Sequence, residues 1–135
     1  MVEFTVVGRP KGKGRPRFVR GHAYTPPETK AYEAQVRWAF QTSKGYKFHG
    51  AVGIVIDAYF KPPKATAKLQ LQRMMEHDIR PPKKPDVDNI AKIVMDALNG
   101  LAYDDDKQIV ELTVRKWYGH DNCVTVRLYD EGIAL

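Results

Sequence analysis

Between Asn89 and Gly100 the apolar residues Ile90, Ile93, Val94, Ala97 and Leu98 fall at i, i+3, i+4, i+7 and i+8, so this segment must bury one face of a helix. Asn99-Gly100 would end that helix, and Asp88 stands where an N-cap belongs. A helix with one apolar face needs a second layer to cover it. The chain offers one in Val52, Ile54, Ile56, Ala58 and Phe60, which alternate with Gly53, Val55, Asp57 and Tyr59 and are closed by Lys61-Pro62-Pro63-Lys64, the pattern of a strand. Further strands are predicted over Glu3–Val7, Gln108–Tyr118 and Cys123–Tyr129, the last two joined as a hairpin by Gly119-His120-Asp121-Asn122. Thr25-Pro26-Pro27-Glu28 has capping-box spacing with Pro at the first helical position, and Tyr32, Val36, Ala39 and Phe40 follow at helical intervals, giving a helix from about Pro26 to Gln41. Ala65–Met75 reads as another, with a thin apolar stripe. The expected order is β-α-β-α-α-β-β, an α+β fold in which helices pack on a mixed sheet. At 135 residues the chain is expected to form a single domain over 1–135.

The acidic flanks of the Asn89–Gly100 helix stand out against the rest of the chain. Asp86–Ile109 holds six aspartates and no glutamate, in a protein of formal charge +6. From Lys84 to Ile109 three lysines face those six aspartates, a local −3, so the remainder carries +9. Basic surfaces attract polyanions through phosphate contacts and counterion release. Part of the excess lies in GRPKGKGRPRFVRG, residues 8–21, where Arg9, Lys11, Lys13, Arg15, Arg17 and Arg20 alternate with Gly and Pro; it reads as loop, not helix. Such a segment leaves guanidinium groups and backbone amides free to track a nucleic-acid strand. Lys83 and Lys84 extend the same expected surface, and the bland alternative is a solubilising arm. Phe18, Tyr24, Trp38 and Trp117 are candidates to stack on bases, although core or rim packing is the commoner role for such side chains. The absence of an 18-residue apolar run, and of a basic-then-apolar leader in MVEFTVVGRP, points to a cytoplasmic protein without a membrane span. Cys123 stands alone, and His22, His49, His77 and His120 lack zinc-ligand spacing.

Taken singly, the aspartates have ordinary roles: Asp88 as a cap, Asp96 as a partner of Lys92, Asp104–Asp106 as a solvated turn. Brought together, each pair of carboxylates about 4 Å apart would repel by about 4 kcal/mol at an effective dielectric near 20. A Mg²⁺ ion, which takes hard oxygen ligands, removes that repulsion. Asp86 and Asp88, two apart in an extended segment, are expected to point to the same side. Residues 89–99 make about three helical turns, roughly 16 Å, so an antiparallel return along the next strand is needed to bring the acidic turn back to them. Two other phosphate or cation motifs fail on the letters. An EF-hand beginning at Asp86 would place Ala91 and Ala97 where Gly and Glu belong. A P-loop fails because three residues, not four, separate Gly8 from Gly12, and Lys13 is followed by Gly14. Asp105-Asp106-Lys107 also matches the acidic-x-Lys half of a common nuclease core.

"KPDVDNIAKIVMDALNG" followed by "DDKQI" closely resembles the signature of the RusA family of Holliday-junction resolvases, Asp-x-Asp-Asn-x-x-Lys, a helix with Asp-Ala-Leu, then Asp-Asp-x-Gln. "GRPKGKGRPRF", "YTPPETKAYE" and the final strands are similar to the family's phage and prophage members. The resemblance implies a RusA-like fold and a Mg²⁺-dependent endodeoxyribonuclease of DNA recombination and repair. It further implies a homodimer acting on four-way junctions, with no small-molecule cofactor beyond the metal. In the family's terms Asp86 and Asp88 match the first two essential acidic positions, Asp106 the third and Lys92 an essential lysine. The triple aspartate leaves room for a shifted register; counting back from Gln108 selects Asp105 and Asp106, and ranks Asp106 first and Asp104 last as metal ligands. Asp96 also falls on a family position, where it can orient Lys92. Two rivals stand beside this reading: a non-catalytic basic nucleic-acid-binding module whose aspartates are caps and turns, and an Asp-x-Asp phosphohydrolase with Asp86 as nucleophile.

Overall fold

In the computed structural model, which describes residues 1–131, the position of one strand fixes the order of all the others. β4 (Val52–Phe60) is buried on both sides: Val52, Ile54, Ile56, Ala58 and Phe60 face the core, and Gly53 and Asp57 on the other side are covered as well. A strand shielded on both faces belongs inside a sheet. Accordingly β4 lies between β5 (Ile109–Tyr118), to which it is parallel, and β6 (Cys123–Asp130), to which it is antiparallel. β6 pairs in turn with β1 (Val2–Val7), giving the order β1-β6-β4-β5. The hairpin expected between β5 and β6 therefore does not exist: they are consecutive in sequence, but β4 is inserted between them. The segment Gly119–Asn122 crosses the end of β4, where the Gly119 N–H donates to the Phe60 carbonyl at 3.0 Å and the Asn122 Oδ1 accepts from the Lys61 N–H at 2.8 Å. Gly53 is required by its neighbour, because a Cβ there would stand 2.2 Å from the Tyr129 ring on β6.

α1 (Pro27–Thr42) and α3 (Val87–Ala97) cover the core face of the sheet. α1 contributes Tyr32, Val36, Ala39 and Phe40, and α3 contributes Ile90, Ile93, Val94 and Ala97, the apolar faces read from the sequence. Phe40 meets Phe4 of β1 edge-on, with ring centroids 5.9 Å apart. α2 (Lys68–Met75) begins three residues later than the Ala65 expected and buries only Met74, in keeping with its thin stripe. The architecture is the α+β arrangement expected, a mixed sheet with packed helices, enlarged by a separate two-stranded hairpin and a 3₁₀ turn. None of the helices among the described residues is long and apolar enough to cross a membrane.

Local details depart from the sequence reading in three places. The basic segment is not loop throughout: Arg17–Val19 (β2) pairs antiparallel with His22–Tyr24 (β3) in a small hairpin. Its turn residues Arg20 and Gly21 have φ of 50° and 79°, as a type I′ connection requires, and Arg-Gly lacks the Asn or Asp that would have announced it. Pro26, not Thr25, is the N-cap of α1, and no side chain caps it. α3 starts at Val87, so Asp86 holds its N-cap position and Asp88 lies inside the first turn. Asp88 is therefore helical, and the extended-chain argument that set it on one side with Asp86 does not hold.

Candidate functional site

The basic segment folds against the first turn of α3. The Lys13 N–H donates to the Asn89 carbonyl at 2.9 Å, and a Cβ on Gly12 would lie 2.9 Å from the Cβ of Asn89 and 3.0 Å from that of Pro85. Only glycine permits so close an approach. The contact creates a cleft of about 510 Å³ lined by Gly12, Lys13, Arg15, Lys84, Pro85, Asp86 and Asn89. A neighbouring recess of about 340 Å³ is lined by Arg9, Pro10, Lys11, Gly12, Lys84 and Pro85. Of the expected nucleic-acid cations, Lys13, Arg15 and Lys84 thus share a cleft with Asp86, and Arg9 and Lys11 line the adjoining recess, although some seventy positions separate the basic segment from Asp86. Asp86 is extended (φ −70°, ψ 152°) and its side chain makes no capping hydrogen bond, which leaves the carboxylate for another partner at the positive end of the helix.

Two of the expected DNA cations are already engaged. Lys13 Nζ donates to Glu33 Oε2 of α1 at 2.9 Å and pairs with Asp96 Oδ2 of α3 at 3.2 Å. Burial works to lower the Lys13 pKa, but the bonds to Glu33 and Asp96 outweigh it and the net shift is upward. Lys13 therefore pins the basic segment between α1 and α3. Glu33 was not singled out in the sequence, because nothing local marks a helical glutamate as the partner of a lysine twenty residues earlier. Arg17 bonds Glu28 in the first turn of α1. Lys92 Nζ lies 3.4 Å from Asp96 Oδ2, so Asp96 holds both Lys13 and Lys92.

The acidic turn is divided by role. Asp105 caps the short 3₁₀ turn Asp106–Gln108, accepting from the Lys107 N–H at 3.0 Å. The Gln108 Oε1 accepts from the Asp104 N–H at 2.8 Å, while its Nε2 donates to the carbonyls of Phe48 and Gly50 at 3.1 and 3.0 Å. Asp104 pairs with Lys47, and that hydrogen bond holds its carboxyl below the usual range. The Asp106 carboxylate has neither an ion pair nor a hydrogen bond among the described residues. Buried Tyr103 ties the whole turn to the C-terminal half of α3 by donating its hydroxyl to the Met95 carbonyl at 2.7 Å. Burial, and then the nearby charges of Asp106, Asp96 and Asp105, push the Tyr103 hydroxyl far up.

This fastening decides where the returning strand takes its residues. The acidic turn stays at the C-terminal side of α3, and the far end of β5 comes back to the start of the helix. There Arg80 Nε donates to the Lys116 carbonyl at 2.9 Å, and Lys116 Nζ bonds the Lys83 carbonyl. Burial lowers the Lys116 pKa, against the opposing pull of Asp86. The far end of β5 thus lies beside the loop that leads into α3. Among the described residues no group of three or more Asp, Glu, His or Cys side chains is arranged to hold a metal ion. The donor chemistry still suits a hard cation: Asp86, Asp88 and Asp106 offer oxygen only, and none of them is spent on an ion pair among the described residues.

The aromatic candidates separate as well. Trp117 is occupied, with the Arg80 guanidinium 3.9 Å from its ring centroid, the His77 ring at 4.5 Å, and its Nε1 donating to Asp57 Oδ1 at 2.7 Å. Phe18, Tyr24 and Trp38 are exposed.

Two comparisons bear on these residues. The family described as endodeoxyribonuclease RusA matches residues 8–129. The "Uncharacterized protein YqaN" of Bacillus subtilis (strain 168) is 36% identical over 134 residues, covering 94% of each chain.

Proposed function

Since this chain belongs to the RusA endodeoxyribonuclease family, we propose that it cuts four-way DNA junctions by Mg²⁺-dependent phosphodiester hydrolysis, as a homodimer, in recombination and repair. The observation that carries this reading is the cleft at the start of α3, where the uncapped Asp86 faces a wall of cations from the basic segment. Phosphate would be drawn to Arg9, Lys11, Arg15 and Lys84, and Lys83 and Arg20 would extend that surface along the strand. Asp86 and Asp88 would hold the ion, the remaining positions going to water and phosphate oxygen. Mg²⁺, when bound, supplies polarisation of the scissile phosphate and neutralisation of charge on the leaving oxygen. Lys92, held by Asp96 one turn along the helix, would stabilise negative charge developing on the phosphate. Asp106, within one chain or across a two-fold dimer, would be the third donor, whereas Asp105 is committed to its cap. A two-fold dimer would present two such clefts to a junction that itself has two-fold symmetry.

The test uses a labelled four-way junction and a linear duplex, with and without Mg²⁺. Cleavage confined to the junction and dependent on Mg²⁺ is expected. Asp88→Asn should lose cleavage and keep junction binding, because it removes an oxygen ligand and no cation. The cations that line the cleft also suit one other reading, a non-catalytic nucleic-acid-binding module. Salt-sensitive binding with no metal-dependent turnover at any protein concentration would select it.

A further inference from the structure

Every residue from Arg15 to Tyr24 is exposed, although six of them form the paired strands of a hairpin. A three-residue strand pair that covers no core gains little from its own pairing. It nevertheless displays Phe18 at 73%, Val19 at 54% and Tyr24 at 40% exposure, interleaved with Arg15, Arg17 and Arg20. Strand alternation puts Phe18 on the side opposite Arg17. Arg17 is fastened to Glu28 of α1, so the Phe18 side looks away from the helix. Arg15 lines the cleft that contains Asp86, and Phe18 is three residues farther on, at most about 11 Å of extended chain. A protein partner would need an apolar surface far larger than one ring to form a stable interface, and Val19 and Tyr24 fall on the opposite face, with Arg17. A nucleobase matches the area of a phenyl ring, and the adjacent arginines match the phosphates on either side of it.

We propose that this hairpin is a base-stacking probe. Resting on the junction-cleaving function inferred above, the Phe18 ring stacks on a base left without a stacking neighbour at the branch point, while Arg15 and Arg20 hold the flanking phosphates. Linear duplex offers no such base. Phe18 thereby determines junction preference, separately from the carboxylates that act on the phosphodiester.

Binding is measured in EDTA, to a four-way junction carrying 2-aminopurine beside the branch point and to a linear duplex of the same arms. Wild-type protein should change the 2-aminopurine emission. Phe18→Ala should leave the emission unchanged and weaken junction binding by roughly tenfold or more, the loss typical of one stacked base. Duplex affinity and the salt slope should be unaltered, since no cation is removed. Phe18→Trp, which keeps an aromatic face, should restore both junction signals and so separates stacking from damage to the hairpin. Equal losses on junction and duplex, a Phe18→Ala variant that still changes the emission as wild type does, or a shift in oligomeric state in place of a DNA effect would each overturn the proposal. Wild-type protein that binds junctions but never cuts them would sink the catalytic reading and leave this comparison decisive. Failure of wild-type protein to bind any DNA would overturn both.

Discussion

Gly12 is the residue on which the site's geometry turns, since it lets the basic segment lie against Pro85 and Asn89. Gly12→Ala forces a carbon into contacts of 2.9 and 3.0 Å, and the rigid Pro85 ring cannot yield. The variant should lose about 1–3 kcal/mol of stability, the usual cost of overpacking, measurable by urea unfolding. Gln108 is a comparable single point, joining the amides of the acidic turn to the carbonyls of Phe48 and Gly50. Gln108→Ala strands those groups and should cost about 1–3 kcal/mol. Asp106→Asn changes no described contact, so it should unfold at the wild-type urea concentration while cleavage is lost. A fall in stability equal to that of Gln108→Ala would assign Asp106 to the turn and not to the site.

The central strand carries a second, separate electrostatic arrangement. Asp57 of β4 accepts from Arg115 Nε at 2.7 Å, Arg115 Nη2 at 3.0 Å and Trp117 Nε1 at 2.7 Å, bonds that tie β4 to β5 across the outer face of the sheet. Burial alone would raise the Asp57 carboxyl, but the hydrogen bonds from Arg115 and Trp117 outweigh it and hold it below the usual carboxylate range. A carboxylate with a depressed folded pKa contributes stability above its unfolded value, near pH 4, and loses that contribution as the pH falls through the folded value. Asp57→Asn should therefore be less stable than wild type at pH 7, with the difference shrinking as the pH drops below about 4. Urea midpoints at pH 7, 5 and 3 give the comparison, and a gap independent of pH would remove the charge from the explanation. The elements themselves were largely legible, because each declares its buried face locally. α3 did so through Ile90, Ile93, Val94 and Ala97, and β4 through alternate apolar residues. The β2–β3 hairpin was not legible, since its strands bury nothing and so carry no apolar period.

For the whole molecule, charge should govern binding and the carboxylates turnover. If five or six phosphates are contacted, log affinity should fall against log salt with a slope of about −5; a slope near zero would take the basic segment off the DNA. Mg²⁺ should raise the melting temperature of wild type but not of an Asp86→Asn, Asp88→Asn double variant, because an ion bound only by the folded state stabilises it. By itself the sequence determined which segments with a buried face are helix or strand, where acid and base are concentrated, and which family the motif around Asp86, Asp88 and Lys92 belongs to; all of these are properties of short stretches. Only the tertiary structure decided that β4 separates β5 from β6, that Lys13 is bound to Glu33 and Asp96, and that Tyr103 is tied to the C-terminal half of α3 while Lys116 bonds the Lys83 carbonyl. Those outcomes depend on which surfaces are buried against each other once every element competes for the same core, and no local period records the result.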